Sequence, residues 1–462
     1  MVSHLKQVVL LYLLVLFSLN SAFAQNAAQL PAQSATQFPA QNAQQLPAQG
    51  NTTLSLDEAV NSALEYNLSL KKTEIDIALS KLSEKNLWAE LFPAINASAS
   101  AGYRNTLLSD TFLPNSGFNY SIGVGISLGL NAGIPYILKS ISMAHESNIL
   151  KYEDARNLLS IQVTKNFYSL VAENNNLVFL NEVFNLAQRQ LTRSETLFRN
   201  GMVGELSLTQ SRLAFENARY SLEAAKIVHK SNMAEFLAML GKPADESITL
   251  SGEVSIIKIE ADAEYFIRDY LPRRPDIIRS KQEIERLEAA RIQTAMQSRA
   301  PSLNLSIDWN SSSFDPFVDS FSATARLSIP IDPWIPGTQR EQAITKASGS
   351  VEKARLDLEI AENSAKTQIR SLTSLLKNSW ESILIARLNL QAAQRGYQLT
   401  EQGFQNGTVE ALTLQDARNN MTSARQRLLQ AELSYFNMIL DLSSSINIDW
   451  KKLIENYGVS GE

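Results

Sequence analysis

The feature of this sequence that most restricts its fold is a long stretch that occurs twice. Residues 163–219 and 369–425 align at a spacing of 206 positions, and apolar residues recur at every seventh position in both copies. The first copy has Val163, Leu170, Leu177, Phe184, Leu191 and Phe198, and the second has Ile369, Leu376, Ile383, Leu390, Tyr397 and Phe404. A seven-residue apolar repeat predicts a long helix that packs along a supercoiled seam.

Both copies then reach an Asn-Gly step, at residues 200–201 and 406–407. Glycine ends helices through a left-handed cap, and a second apolar pattern starts a few residues later in each copy. The sequence therefore predicts two long helical hairpins, over residues 136–240 and 337–442. No Pro or Gly occurs between residues 136 and 200. At about 1.5 Å per residue, this helix is roughly 100 Å long.

The duplication extends beyond the hairpins. A pair of helical patterns over residues 54–66 and 68–92 is matched by a pair over residues 263–270 and 275–299, and Pro93 falls on Pro301. Internal repetition on this scale indicates a tandem architecture. We expect a first repeat over residues 53–250, a second repeat over residues 251–450, and a C-terminal tail over residues 451–462.

Each repeat contains two predicted strands before its hairpin. They cover residues 95–104 and 118–130 in the first repeat, and 303–310 and 320–329 in the second. Apolar and polar residues alternate without a break from residue 118 to residue 130, and a tilted strand of this length can cross a bilayer. A soluble β-sandwich gives the same alternation, but polar faces rich in Gly and Ser favour the inside of a barrel. Four strands cannot close a barrel, and a bilayer tolerates no open sheet edge. Spanning strands thus require a dimer with eight strands or a trimer with twelve.

The N-terminus has the pattern of a secretory signal peptide over residues 1–24. Lys6 precedes an apolar run, and Ala22-Phe23-Ala24 forms a small-x-small cleavage site. An uncleaved membrane anchor is the alternative, and the short apolar run argues against it. Residues 25–52 are rich in Gln, Pro and Ala and predict a disordered linker, or less readily a ligand for a proline-binding module.

The composition argues against several classes of function. The net charge of −5 argues against a nucleic-acid partner, and the lack of cysteine rules out disulfides and thiol chemistry. No P-loop, dinucleotide-binding turn or nucleophile elbow occurs. His145 and His229 have no companion histidine at metal-ligand spacing. We therefore expect no catalytic site, no cofactor and no metal.

Several motifs in this order resemble those of the TolC-like outer membrane factor family. They are Arg273-Arg274-Pro275-Asp276, Ala300-Pro301-Ser302-Leu303, and a Phe-x-x-Gly step at Phe198 and Phe404. The resemblance covers residues 54–450. Many members that serve drug-efflux pumps are lipoproteins, and this chain lacks the cysteine that such a lipid anchor requires.

The resemblance implies a mainly α-helical fold with a transmembrane β-barrel contribution. It implies a homotrimer in outer membrane lipid, with a twelve-stranded barrel and a periplasmic helical barrel. It also implies a periplasmic adaptor protein and an inner-membrane transporter as partners. The expected function is a passive, gated outer membrane exit duct for efflux or type I secretion, which exports drugs, small molecules or proteins.

The resemblance also assigns candidate sites. The hairpin tips would dock the adaptor, and they comprise Asn200, Gly201, Met202, Val203 and Gly204 together with Asn406, Gly407, Thr408, Val409 and Glu410. The gate positions would be Asp416 and Thr413, with Gln210 and Ser207 as their counterparts in the first repeat. Only one of the two acidic gate positions of the family is acidic here, and Val409 replaces the Arg of the best-known lock. The alternative for Asp416 is a solvated helix residue, and that for the glycines is simple helix termination.

A second functional class is compatible with the same patterns. A secreted or periplasmic coiled-coil tether with a β head would use the heptads as a stalk and the strands as a soluble head. A secreted pore-forming toxin is a third possibility, although toxins rarely devote so much chain to a duplicated helical tube. The duct should fractionate with outer membranes, whereas the tether should be soluble after cell lysis.

Overall fold

The computed structural model describes residues 52–104, 117–252, 256–260, 262–314, 317–406 and 408–459. The predicted signal peptide and nearly all of the predicted linker lie outside these residues. Residues Thr53–Glu462 form one compact unit.

The first repeat begins with a short strand and two helices. They are β1 (Thr52–Leu54), α1 (Leu56–Tyr66) and α2 (Leu68–Lys85), and α1 starts with a capping box in which Ser55 and Glu58 bind each other's backbone. The sequence predicted one helix up to residue 92, but α2 stops at the Asn86 cap and a 3-10 turn (Leu87–Leu91) follows. The strands β2 (Ala94–Arg104) and β3 (Gly117–Asn131) come next. The hairpin helices α3 (Ile134–Arg199) and α4 (Glu205–Met239) and the strand β4 (Ile248–Leu250) complete the repeat.

The second repeat has the same order. It comprises β5 (Lys258–Ile259), α5 (Ala263–Tyr270), α6 (Pro275–Arg299), β6 (Ser302–Phe314), β7 (Phe317–Ser328), α7 (Gln339–Gln405) and α8 (Ala411–Ile446). The segment set aside as a C-terminal tail contains α9 (Trp450–Tyr457) and β8 (Gly458–Val459). Asp449 caps α9, and Leu453 is fully buried in the core of the second repeat, so packing holds this segment in place.

The four long strands form one antiparallel sheet in the order β2-β3-β6-β7. The sequence predicted shorter spans for the last two strands. Pairing continues as far as Phe314 with Phe317, through Ser311 and Ser312, where apolar and polar residues do not alternate. Backbone pairing thus extends the hairpin beyond its patterned part.

The register aligns the alternating residues of all four strands. One face has the apolar rows Ala97–Val124–Trp309–Phe321 and Ile95–Ile126–Ile307–Ala323. Val124, Ile126 and Trp309 are exposed, so the rest of this chain does not cover that face. A β-sandwich buries such a face against a second sheet. The exposed apolar face therefore disfavours the soluble sandwich.

The opposite face of the sheet is polar and closely fitted. Gly123 and Gly125 of β3 lie beside Asn310 and Asp308 of β6. A Cβ atom at Gly125 would lie 2.6 Å from Asp308 Oδ1, and one at Gly123 would collide with Asn310 Oδ1. Because these glycines have no side chain, the Asn310 amide and the Asp308 carboxylate of β6 have space to lie over β3.

The heptad residues form the seams of the helical hairpins. All twelve predicted positions are buried or half-buried except Phe198 at the end of α3. Equivalent residues such as Val163 and Ile369 are fully buried in the cores of the first and second repeats. Each fully buried aliphatic or aromatic side chain contributes about 1.5–3 kcal/mol. The duplicated apolar pattern therefore builds two similar cores.

The helices lie side by side in a defined order. Toward the tips, α3 contacts both α4 and α8, and α8 contacts α7, which gives the order α4–α3–α8–α7. Toward the sheet, α2 packs on α3 and α6 packs between α3 and α7. The two flanks of the helical layer are thus α4 with α2 on one side and α7 on the other.

Arg274 of the Arg-Arg-Pro-Asp motif joins several of these helices. Its Nε and Nη2 donate to Asp276 at 3.0 and 2.8 Å, and its Nη1 donates to the carbonyl oxygen of Ser445 at 3.0 Å. Burial alone would raise the pKa of the Asp276 carboxyl, but the hydrogen bonds and charge of Arg274 outweigh it and hold that pKa below its usual value. The motif therefore ties the start of α6 to the end of α8.

Candidate functional site

The first hairpin tip is a glycine-capped turn. Gly201 has φ +72°, its N–H donates to the Phe198 carbonyl at 2.9 Å, and the Met202 N–H donates to the Leu197 carbonyl at 2.9 Å. These two bonds form a Schellman motif, which satisfies the last carbonyls of α3. The predicted left-handed cap is confirmed at this position. Asn200, Met202 and Gly204 are exposed and Val203 is half-buried.

The second tip has the same closing bond. The Thr408 N–H and Oγ1 both donate to the Gly403 carbonyl, at 2.9 and 3.0 Å. A Cβ atom at Gly403 would lie 2.6 Å from Val409 Cγ2, so Gly403 lets Val409 pack closely over the helix end. Asn406, Thr408 and Glu410 are exposed. Gly407 lies outside the described residues.

The predicted gate residues lie just past the tips, on two different helices. Thr413 and Asp416 are both exposed and lie three residues apart on the first turns of α8, so they share one face. Ser207 and Gln210 are half-buried on the first turns of α4. The Ser207 carbonyl accepts a hydrogen bond from Ser211 Oγ at 3.0 Å, and Ser211 Oγ also bonds to Ser194 Oγ at 2.8 Å. Ser211 therefore links α4 to α3 beside the half-buried first-repeat pair, whereas the second-repeat pair is exposed.

A cluster around Arg418 was not predicted from the sequence. Arg418 is only 5% exposed, and its Nη2 donates to Gln190 Oε1 on α3 at 2.7 Å. Tyr397 on α7 contacts this cluster and donates to Glu401 at 3.2 Å. Burial raises the pKa of Tyr397. The cluster thus joins both hairpins within one turn of Asp416.

A sequence signal for Arg418 did exist. Leu414, Met421, Leu428, Tyr435 and Leu442 recur at every seventh position of α8. Arg418 is four residues after Leu414, which is a second seam position of that heptad, and a charge there departs from the apolar pattern. A buried charge that interrupts a seam indicates a specific role for the side chain.

The apolar residues that remain exposed lie mainly on the flanks. On α4 they recur at heptad spacing, and on α2 and α7 they also form stripes. They are Leu206, Leu213, Tyr220 and Ile227 on α4, Leu68, Ile75, Leu79 and Leu82 on α2, and Leu356, Ile360, Ile385, Leu388 and Leu399 on α7. Heptad stripes require a partner helix to bury them.

The two histidines contact glutamates rather than each other. His145 Nδ1 bonds to Ser80 Oγ at 3.0 Å and its Nε2 lies 3.6 Å from Glu84, while His229 Nδ1 lies 3.2 Å from Glu173. Within the described ranges no group of three or more His, Cys, Asp or Glu could hold a metal ion. Among the described residues, every helix is too short or too polar to span a bilayer.

The sequence matches a known family and several of its members. The model of the outer membrane efflux protein family matches residues 59–242 and 266–447. The toluene efflux pump outer membrane protein TtgC of Pseudomonas putida is 24% identical over 412 residues, which are 86% of this chain and 83% of that protein. The cation efflux system protein CusC of Escherichia coli strain K12 is 22% identical over 409 residues, covering 83% of this chain and 84% of that protein.

Solved structures share the fold. The CmeC outer membrane channel of Campylobacter jejuni superposes with a TM-score of 0.70 at 18% identity, over 89% of this chain and 93% of that chain. The open state of the MtrE outer membrane channel of Neisseria gonorrhoeae gives 0.64 at 18% identity, over 85% and 89% of the two chains. The sheet and the hairpins together are therefore the fold of an outer membrane channel.

Proposed function

Because the chain belongs to the outer membrane efflux protein family, we propose that three copies of it close into one passive exit duct. Membership in this family identifies an outer membrane channel rather than an enzyme, and it favours the duct over the coiled-coil tether. Beyond family membership, we propose the trimeric assembly, the partner proteins and the gate.

The main support for the trimer is a β-sheet with two unpaired edges. The strands β2 and β7 form the two outer edges of a four-stranded sheet whose apolar face is exposed. An open edge leaves unpaired backbone groups, which cost several kcal/mol each in hydrocarbon. Pairing β7 of one copy with β2 of the next satisfies both edges, and three copies give twelve strands.

The helical layer needs the same closure. Its flanks, α4 with α2 and α7, each carry exposed apolar stripes. A ring places α7 of one copy beside α4 and α2 of the next, and it buries both stripes at once. One rotation thus closes the sheet and the helices, because a heterologous contact that repeats around an axis forms a ring.

Oligomeric mass in detergent tests this arrangement. We expect the purified protein to have three times the chain mass and Tyr220→Arg to yield monomers, because Tyr220 is 77% exposed on the α4 flank. Val178→Arg is the control, since Val178 is 57% exposed but lies on α3, which is not one of the flanking helices. A monomeric wild-type protein, or a trimer that Tyr220→Arg leaves intact, would contradict the proposal.

The exposed tips are the proposed docking surface for a periplasmic adaptor, which connects the duct to an inner-membrane transporter. Met202 is 69% exposed and therefore available to a partner. Met202→Arg should leave the trimer intact and abolish export, whereas Val178→Arg, roughly 36 Å away along α3, should not. Full export by the Met202 variant would exclude this tip. TtgC is named for toluene and CusC for cations, and we propose small molecules as the cargo here.

Asp416 is the proposed gate residue. It is exposed at the tip end of α8, so three copies would face one another across the narrow end of the duct. Their field would favour cations. Asp416→Asn should lower cation selectivity in planar-bilayer recordings and weaken block by multivalent cations, with Asp319→Asn on β7 as a control. Unchanged selectivity and block in Asp416→Asn would place the constriction elsewhere.

A further inference from the structure

Arg418 is a buried cation whose charge is not matched by an acid that binds it directly. Its side chain is 95% removed from solvent, and its hydrogen bonds go to two neutral groups, the amide of Gln190 at 2.7 Å and the hydroxyl of Tyr397. Glu401, the acid of the same cluster, accepts its hydrogen bond from Tyr397 Oη instead. Burying a charge without a partner is costly, so an arrangement of this kind calls for compensation.

One nitrogen of the guanidinium lacks a partner. Arg418 Nε is buried and has no hydrogen-bond acceptor among the described residues. Native proteins satisfy the great majority of buried donors, and an exception indicates strain, a water molecule or an ion. A donor that carries a positive charge binds an anion more strongly than it binds a neutral acceptor.

Arg418 also lines a crevice between the two hairpins. The crevice has a volume of about 100 Å³ and lies between α3, α4 and α8. Its polar lining consists of side-chain amides and hydroxyls besides Arg418, namely Asn217, Ser221, Gln415, Asn419 and Thr422. The amides can donate hydrogen bonds to a bound ion, whereas the hydroxyls of Ser221 and Thr422 already donate to the carbonyl oxygens of Asn217 and Arg418. Because no carboxylate lines the crevice, its electrostatic character is positive.

We propose that this crevice binds a small monovalent inorganic anion of halide size, with Arg418 as the charged ligand and the side-chain amides as neutral donors. The volume admits one such ion with one or two waters, since a water occupies about 30 Å³. One guanidinium balances one negative charge, whereas a phosphate dianion would leave an excess charge in a half-enclosed site.

The ion would connect the two hairpins behind the tips. Its donors come from α4 of the first hairpin and α8 of the second, and Arg418 is itself bonded to α3. Asp416 is two residues before Arg418, on the exposed side of the same helix. An occupied crevice therefore stiffens the seam that any relative movement of the hairpins must disturb. The site lies within one chain, so it does not depend on the proposed trimer.

Bromide identifies the site directly. We expect crystals of the wild-type protein soaked in sodium bromide to show an anomalous peak in the crevice, beside the Arg418 guanidinium. A peak confined to other places, or a crevice that holds only water, overturns the proposal. This measurement uses the unaltered chain, so it decides the matter even if a variant fails to fold.

Thermal unfolding in detergent gives the matched comparison. Replacing sodium gluconate by sodium chloride at constant ionic strength should raise the unfolding temperature of the wild type. The rise should be lost in Arg418→Gln and kept in Arg425→Gln, which removes an exposed charge from the same helix, stacked over Phe179. An equal chloride effect in wild type and Arg418→Gln, or no effect in the wild type, contradicts the proposal.

Discussion

Replacing Val124 by arginine tests whether the apolar face of the sheet contacts lipid. Val124 is the central residue of β3, seven residues from either end, and lies between Ala97 and Trp309 on the neighbouring strands. It is 43% exposed in a single chain. If β3 spans the bilayer, Val124 lies near the midplane, where an arginine on the lipid face costs about 2–4 kcal/mol. Each chain of the assembly would bear this cost.

The expected change is large enough to measure. A cost of 2–4 kcal/mol lowers the folding equilibrium constant by about 30- to 700-fold, since 1.4 kcal/mol corresponds to a factor of ten. Urea-induced unfolding from lipid vesicles reports this free energy, and a heat-sensitive oligomer on gels reports assembly. Ser127→Arg is the matched control, because Ser127 lies on the polar face between Ala94 and Ser306.

The comparison between the two variants decides the question. We expect Ser127→Arg to fold and assemble like the wild type, whereas Val124→Arg loses stability or fails to insert. Equal tolerance of both substitutions would show that the apolar face does not contact lipid. The sheet would then need another partner to cover that face.

Three further predictions follow from single contacts. Gly123→Ala should destabilise the sheet by about 1–3 kcal/mol in urea unfolding, because its Cβ would collide with Asn310, whereas Gly102→Ala opens into free space and should change little. Tyr435→Phe should cost about 1–3 kcal/mol in chemical unfolding, because the buried Tyr435 Oη accepts from the Ile259 N–H at 2.8 Å, and a stability equal to wild type would contradict this bond. Asp276→Asn should lower stability at neutral pH. Arg274 lowers the pKa of Asp276 in the folded state, so this stabilisation is complete above the pKa of Asp276 in the unfolded chain, which is about 4. It is lost as the pH falls through the pKa of the folded state, and the two proteins should therefore have equal stability in acid.

Local patterns made most of the architecture predictable. The heptads, the strand alternation and the Gly201 cap depend on residues close together in the chain, since helix and strand periods are local properties. The helices over residues 263–270 and 275–299 have the predicted bounds. The exceptions lie where the local pattern is weak, as at Asn86, where α2 ends early, and at Ser311, where the strand continues without alternation.

The sequence alone therefore determined the repeats, the two long hairpins and the two-faced strands, because these follow from the spacing of apolar residues along one segment. Only the tertiary structure placed Gly123 beside Asn310 and Arg418 beside Gln190, pairs that join segments 187 and 228 residues apart. Strand register and helix order depend on how separate segments pack, and no local period encodes them. For this reason the sequence predicted the exposed Asp416 as a candidate gate but not the role of the buried Arg418, two residues after it on the same helix.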